Sequence, residues 1–242
     1  MNNIPAAGCR RAAEQRSPPD AALLDLTVVT PALNAARLLP AMLAGLGGVA
    51  DVVVVDGGSA DGTADIAARL GARVIAAPRG RGAQLTAGVA AARHAWLLLL
   101  HADTRLGGGW KAAVRAHIAA FPDRAGYFHF ALDCSDPRAR RLERLVDWRC
   151  RAFALPYGDQ GLLIHRDLLQ QIGGIRPLAL MEDVDLVRRL GRGRLRALDA
   201  AAVTSAERWL CDGWLRRSAR NLVCLSLWFA GVPPRHIARL YR

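Results

Sequence analysis

Strand-like runs of four or five residues recur at 26–30, 52–55, 72–76 and 96–100, and Ala- and Leu-rich stretches with helical spacing fill the intervals at 38–46, 64–70 and 83–93. A short unbroken apolar run suits a strand covered on both faces. Its alternation with helices predicts βαβ units around a parallel sheet. The second run, Val52-Val53-Val54-Val55, stops on Asp56 and is followed by Gly57-Gly58-Ser59-Ala60-Asp61-Gly62-Thr63. Asp56 therefore emerges at the carboxyl end of a strand. The two glycines open backbone conformations closed to other residues, and Ser59 or Asp61 can cap a helix that begins near Thr63. In open α/β sheets this edge is where ligands bind. Ordinary turn and cap chemistry explains the same residues equally well, so one such turn decides little.

The fourth run repeats the theme, ending in His101-Ala102-Asp103-Thr104. Two acid-tipped parallel strands in one sheet converge on one crevice. Asp103 can bind a divalent cation that in turn bridges a diphosphate, whereas His101 reads more simply as a strand-end histidine than as a ligand. Between the third and fourth runs, Pro78-Arg79-Gly80-Arg81-Gly82-Ala83-Gln84 places arginines and free backbone just before a helix N-terminus, an environment phosphate oxygens favour and also the composition of a solvated basic loop. The segment has no Walker pattern, and no clean G-x-G-x-x-G follows the first strand, which sets aside ATPase and dinucleotide readings. Farther on, Met181-Glu182-Asp183-Val184-Asp185 opens a helical stretch that ends in Arg188, Arg189 and Arg192. Macrodipole complementarity accounts for that pattern, and a carboxylate facing the crevice is equally a candidate general base.

After residue 109 the regularity loosens. Helices are expected over 110–121 and 137–153, with short strands over 127–132 and 161–165, giving a mixed α+β second half. With 242 residues, 52% of them hydrophobic, and no long polar linker, the chain forms one domain with embellishments. The formal charge of +12 comes almost wholly from arginine, Lys111 being the only lysine, and the arginines are spread along the chain. Dispersed charge points away from nucleic acid and toward an anionic ligand or membrane surface. The five cysteines, Cys9, Cys134, Cys150, Cys211 and Cys224, show neither C-x-x-C nor zinc spacing and read as reduced thiols of a cytoplasmic protein. Residues 1–22 lack the apolar core of a signal peptide and read as a disordered leader. The apolar segment 222–232 is too short to cross a bilayer. Its flanks, Arg216, Arg217 and Arg220 before and Arg235, Arg239 and Arg242 after, suit a helix in a membrane interface and equally a helix packed on the domain.

The ordered set Thr30-Pro31-x-x-Asn34, Asp56-Gly-Gly-Ser-x-Asp61-Gly-Thr63, Arg81-Gly82-x-Gln84, His101-Ala-Asp103-Thr104, Asp159-Gln160-Gly161 and Met181-Glu182-Asp183 resembles family 2 glycosyltransferases of the GT-A fold. It is most similar to a small bacterial subgroup with an L-H-A-D-T strand end and an M-E-D helix start. The resemblance implies a Rossmann-like, mostly parallel central sheet flanked by helices, with a catalytic domain over 23–210 and a helical C-terminal segment over 211–242. It implies a nucleotide-sugar donor held by Thr30, Pro31, Asn34, Asp56, Arg81, Gln84 and Asp103, with Mg²⁺ or Mn²⁺ on Asp103. Asp183 would act as the base that deprotonates an acceptor hydroxyl, supported by Glu182, and Asp159 and Gln160 would line the acceptor and sugar side. Ser205-Ala206-Glu207-Arg208-Trp209 is similar to the Q-x-x-R-W motif of processive members but has Ser where they have Gln. Transfer of a single sugar is therefore expected, with Arg208 and Trp209 closing the pocket.

The implied activity is an inverting, metal-assisted transfer to a hydroxyl-type or lipid-like acceptor, in the cytoplasm or peripherally on the inner face of the cell membrane. Two other functions compete with it. A sugar-nucleotide nucleotidyltransferase would need a catalytic lysine in an early glycine-rich loop, and Lys111 is neither early nor in one. A non-catalytic anion- or membrane-binding module would keep the fold without turnover.

Overall fold

The structure, a computed structural model, describes residues 24–241; the leader expected over 1–22, Cys9 and Arg242 lie outside the described residues. In chain order the first half runs β1 (Leu24–Ala32), α1 (Leu39–Ala44), β2 (Val49–Asp56), α2 (Thr63–Arg69), β3 (Arg73–Ala76), α3 (Arg81–Ala91) and β4 (Trp96–Leu99). These strands pair in parallel in the order β3-β2-β1-β4. Strand β1 lies between β2 on one side and β4 on the other, so the chain reverses its direction of travel across the sheet there. Such a switch point opens a crevice at the carboxyl ends of the strands.

The valines of β2 show why the strand must be central. Val53 and Val55 enter the apolar core on one face of the sheet, Val54 enters the core on the other, and all three are fully buried. At roughly 25 cal/mol per Å² of apolar surface, burial on both faces gives this strand a large share of the sheet's stability.

The second half continues with β5 (Thr104–Leu106), α4 (Trp110–Ala120), β6 (Ala125–Leu132), α5 (Pro137–Phe153), β7 (Leu162–His165), α6 (Arg166–Gln171), α7 (Glu182–Leu190) and β8 (Leu195–Thr204). It extends the sheet as β4-β7-β6-β8-β5, in which β7 runs antiparallel to β4 and to β6, and β8 runs parallel to β6. The helices and strands expected over 110–165 are present. Strands β5 and β8 and helix α6 are additions to the pattern read from sequence. Strand β8, Leu-Arg-Ala-Leu-Asp-Ala-Ala-Ala-Val-Thr, is rich in alanine, a weak strand former, and is held in the sheet by its eight-residue register with β6.

Three helices end the chain: α8 (Glu207–Asp212), α9 (Trp214–Phe229) and α10 (Pro234–Tyr241). Trp214, Arg217 and Cys224 of α9 are buried, and Cys224 meets Leu180 and Ile237 in a small core of its own. No helix among the described residues is long and apolar enough to cross a membrane.

Helix α3 lies close on the sheet, and Gly88 sets the distance. A Cβ at this position would sit 2.3 Å from Val29 Cγ1 and 2.8 Å from Val55 Cγ2. Gly88→Val is therefore expected to destabilise the fold by about 1–3 kcal/mol through overpacking, measured by urea unfolding. An unchanged midpoint would mean that α3 does not pack as described.

Candidate active site

The turn after β2 is built by Asp56. Its carboxylate accepts from Gly58 N at 3.1 Å, Ser59 N at 3.0 Å and Ser59 Oγ at 2.5 Å, while Gly58 adopts a φ of 88° that a side chain would strain. The loop after β1 is clasped to this turn. Ala60 N donates to Asn34 Oδ1 at 3.0 Å, Asn34 N donates to Ser59 Oγ at 2.9 Å, and Ala36 N donates to Asp61 at 3.0 Å. The carboxylate of Asp56 remains half-buried and Asn34 exposed at the sheet's edge.

Behind them Thr30 and Pro31 are buried, and the Thr30 hydroxyl has no partner among the described residues. Gln84 is also buried. Its Nε2 donates to Ala32 O and to Val55 O, both at 2.7 Å, so the amide pins β1 to β2 beneath Gly57. Both amide hydrogens of Gln84 are thus engaged by the main chain.

A cleft of about 720 Å³, open mouth included, has none of Thr30, Pro31, Asn34, Asp56 or Gln84 in its lining. Its walls bring together Arg81, His101, Asp103, Asp159, Asp183 and Arg208 from five separate stretches of sequence. At its centre Asp183, in the first turn of α7, accepts from Gly158 N on one oxygen at 2.7 Å and from Val184 N on the other at 2.8 Å. Gly158 opens a 3₁₀ turn, Gly158–Gln160, and a Cβ there would lie 2.5 Å from His101 Nε2 and 3.2 Å from Asp183 Oδ2. Only a glycine lets the main chain approach both groups.

Gln160 is fully buried. Its Nε2 donates to Phe128 O at 3.0 Å, and its Oε1 accepts from Tyr157 N at 3.1 Å and from Arg149 at 3.2 Å. It holds the turn from within and is not among the residues lining the cleft. Arg149 stacks over the Tyr157 ring at 3.4 Å and so fixes the side chain that lines the cleft next to the turn.

Burial sets the protonation of the groups around Asp183. A neighbouring, mostly apolar pocket of about 480 Å³, open mouth included, is walled by Leu85, Leu99, Ile175 and Leu186 and shares His101 and Asp183 with the cleft. Desolvation, helped by the charge of Arg81, pushes His101 down to about 4, so its ring is neutral at pH 7. Desolvation likewise pushes Glu182 up to about 7, against the pull of the Arg81 guanidinium 2.9 Å away. Asp159 is pushed up to about 6 by burial, and repulsion from Asp183 and Asp103 adds to it while Arg149 opposes it; its Oδ1 has no hydrogen-bond partner among the described residues. Asp103 faces Arg208 at 3.6 Å across the cleft. Trp209 is buried, packs against Phe130 and forms part of the same wall.

Several residues of the cleft wall, Tyr157 and three residues at the C-terminal end among them, were not read from sequence as site residues. Arg217, Asn221 and Tyr241, on α9 and α10, close the far side of the cleft, where Arg217 donates to Tyr241 Oη at 2.9 Å. Their signal was present in the chain, since Arg217 and Asn221 are one helical turn apart on a segment whose other positions are largely apolar. Among the described residues no group of three or more His, Cys, Asp or Glu is arranged to hold a metal ion.

Residues 27–157, just over half of the chain, match the model of glycosyl transferase family 2, and the chain belongs to that family. Uncharacterized glycosyltransferases of Mycobacterium bovis and Mycobacterium tuberculosis are 42% identical over 85 residues, which is 35% of this chain and 39% of the length of those relatives. Solved structures with the same fold include mannosyl-3-phosphoglycerate synthase from Rubrobacter xylanophilus, at TM-score 0.57 and 19% identity over 86% of this chain and 76% of that one. Residues 1–349 of TarS from S. aureus give 0.61 and 16% over 90% and 69%. Glucosyl-3-phosphoglycerate synthase from Mycobacterium tuberculosis, solved with Mn²⁺, UDP and glucosyl-3-phosphoglycerate, gives 0.55 and 17% over 89% and 82%. These likenesses bear out the GT-A architecture with its mostly parallel sheet.

Asp159 yields a test of the buried acids. The unfolded chain ionises this carboxyl near its ordinary 3.8, whereas the folded protein keeps the proton to about 6. Its stabilising contribution is therefore full at low pH and lost as pH rises through about 6. Replacing Asp159→Asn should raise stability relative to wild type between about pH 4 and pH 7, by on the order of 2 kcal/mol in urea titrations. A pH-independent difference would show that Asp159 is hydrated.

Proposed function

We propose that the protein transfers a single sugar from a nucleotide-sugar donor to an acceptor hydroxyl, on a small or lipid-like molecule, with inversion at the anomeric carbon. The observation that carries this reading is the placement of Asp183. Its carboxylate is held by the Gly158 N–H and opens onto the same cleft as Asp103, at the carboxyl edge of a parallel sheet.

On this reading Asp56 and Asn34, in the turns after β2 and β1, take the nucleotide end of the donor. The diphosphate lies toward Asp103 and Arg208, where the guanidinium supplies positive charge to the leaving group. Asp103 is one carboxylate facing an open cleft, which fits a cation that completes its shell with phosphate oxygens and water. Mg²⁺ or Mn²⁺ bound there would act as a Lewis acid on the leaving diphosphate. The complex of Mn²⁺ and UDP with a synthase of the same fold supports that choice of donor and ion.

Asp183 removes the proton of the acceptor hydroxyl as its oxygen attacks the anomeric carbon from the side opposite the diphosphate. The bond from that carbon to the phosphate oxygen breaks, and the nucleoside diphosphate leaves. Glu182 keeps Arg81 in place next to the base. The neutral ring of His101 fills the floor of the site without adding charge. Because Arg217, Asn221 and Tyr241 line the cleft, the segment 211–242 works with the domain over 23–210 as one catalytic unit.

A thermal-shift series with UDP-, GDP- and dTDP-sugars, with and without Mn²⁺, should give stabilisation by one nucleotide class that increases with the ion. Asp183→Asn should retain that shift and lose turnover by about two to four orders of magnitude. A variant with near-normal turnover would remove Asp183 from its role, and no shift with any nucleotide would favour a binding module without catalysis.

A further inference from the structure

Helix α9 carries apolar side chains on both of its faces, Trp214 and Cys224 being buried on the inner one. Its inward face carries the buried Arg217, with Asn221 beside it on the cleft wall, and Arg217 and Arg220 both bond Asp212. Its outward face is apolar. Positions 215, 219, 222, 226 and 229, spaced as one helical stripe, are all exposed and hold Leu, Ala, Leu, Ser and Phe, with Val223 alongside. Leu215 is 88% exposed, Leu222 63%, Val223 52% and Phe229 47%. A helix that packs one face on a domain ordinarily turns polar side chains to water on the other, so this stripe of four turns is built to meet something apolar.

We infer that the outward face of α9 lies in the interfacial layer of an anionic lipid bilayer. The positive charge that α9 and α10 expose selects this occupant. Arg216, at the stripe's edge, and Arg235 and Arg239, on the adjoining α10, are exposed and have no carboxylate partner among the described residues. Anionic headgroups complement them. A second copy of the chain docked about a two-fold axis would return the same arginines to the same interface, and like charge would oppose it. The helix lies on the bilayer and does not span it, since no described helix is long and apolar enough to cross. Because the opposite face of α9 walls the cleft, this orientation sets the site beside the lipid surface. An acceptor hydroxyl on an amphiphile would then reach Asp183 without leaving the membrane. That last step rests on the proposed transfer; the docking surface itself does not.

The test is flotation of the full-length protein with phosphatidylglycerol–phosphatidylcholine vesicles and with phosphatidylcholine vesicles, without any nucleotide sugar. Wild type should float with the anionic vesicles and remain unbound with the neutral ones. Leu222→Glu combined with Phe229→Glu should reduce the partition coefficient at least about tenfold, as should reversing Arg235 and Arg239 to Glu. Arg69→Glu, an exposed arginine on α2, changes net charge by as much as the double Leu222, Phe229 variant and should leave binding within about twofold. Absence of flotation, an equal loss in Arg69→Glu, or retained binding in the double variant would overturn the inference. So would a wild-type dimer in sedimentation velocity that the double variant dissociates, which would assign the stripe to a second copy. Since the assay needs no donor, its failure leaves the transfer reading standing, and failure of donor binding leaves the surface standing.

Discussion

The hydrogen bond from Gly158 N to Asp183 is the contact on which the site depends. It joins the 3₁₀ turn after α5 to the first turn of α7, at a point where a Cβ would lie 2.5 Å from His101 Nε2 at the end of β4. Three elements therefore meet within one residue's volume. The turn is held from behind by the fully buried Gln160 and from the side by Arg149 stacked on Tyr157, so the N–H is aimed before any ligand arrives. Preorganisation of this kind lowers the reorganisation that charge development in a reaction would otherwise require.

The electrostatics of the cleft follow from how little water reaches it. Arg81 is spent on Glu182, Arg208 faces Asp103, and Arg217 is held by Asp212. His101 is driven neutral and Asp159 toward its protonated form, chiefly by burial, while the charge of Arg81 opposes the same push on Glu182. A cluster of poorly solvated acids costs the folded state free energy, and functional sites are where proteins tolerate such a cost. The exposed stripe of α9 is a second local violation of ordinary folding rules. It lies on the helix whose other face closes the cleft.

Much of this was legible in the chain because it depends on local rules. Four valines in a row required a strand buried on both faces, and the structure distributes them to both cores. Strand ends bearing Asp56 and Asp103 required a shared edge once the strands were parallel. What the sequence concealed depends on partners distant in the chain. Gln84 and Gln160 look like ligand-binding amides in a motif, yet the amide hydrogens of Gln84 go to Ala32 O and Val55 O, and Gln160 bonds Phe128 O, Tyr157 N and Arg149, partners that only the fold brings near. Strand β8 is alanine-rich and takes its conformation from β6. Gly158 reads as a turn glycine until His101 and Asp183 are placed around it. The polar side of α9 was visible as Arg217 and Asn221 one turn apart, but its direction, inward, was not.

The most direct measurement is turnover and donor binding by Gly158→Ala, with the nucleotide sugar that stabilises the wild-type protein. The added methyl group displaces the turn from His101 and withdraws the hydrogen bond that aims Asp183. Turnover should fall at least about a hundredfold, as expected for a misplacement of about 1 Å at the reacting centre, while the donor's thermal shift and the circular dichroism spectrum are retained. Near wild-type turnover in that variant would contradict the assignment of Asp183 as a base held in place by this contact.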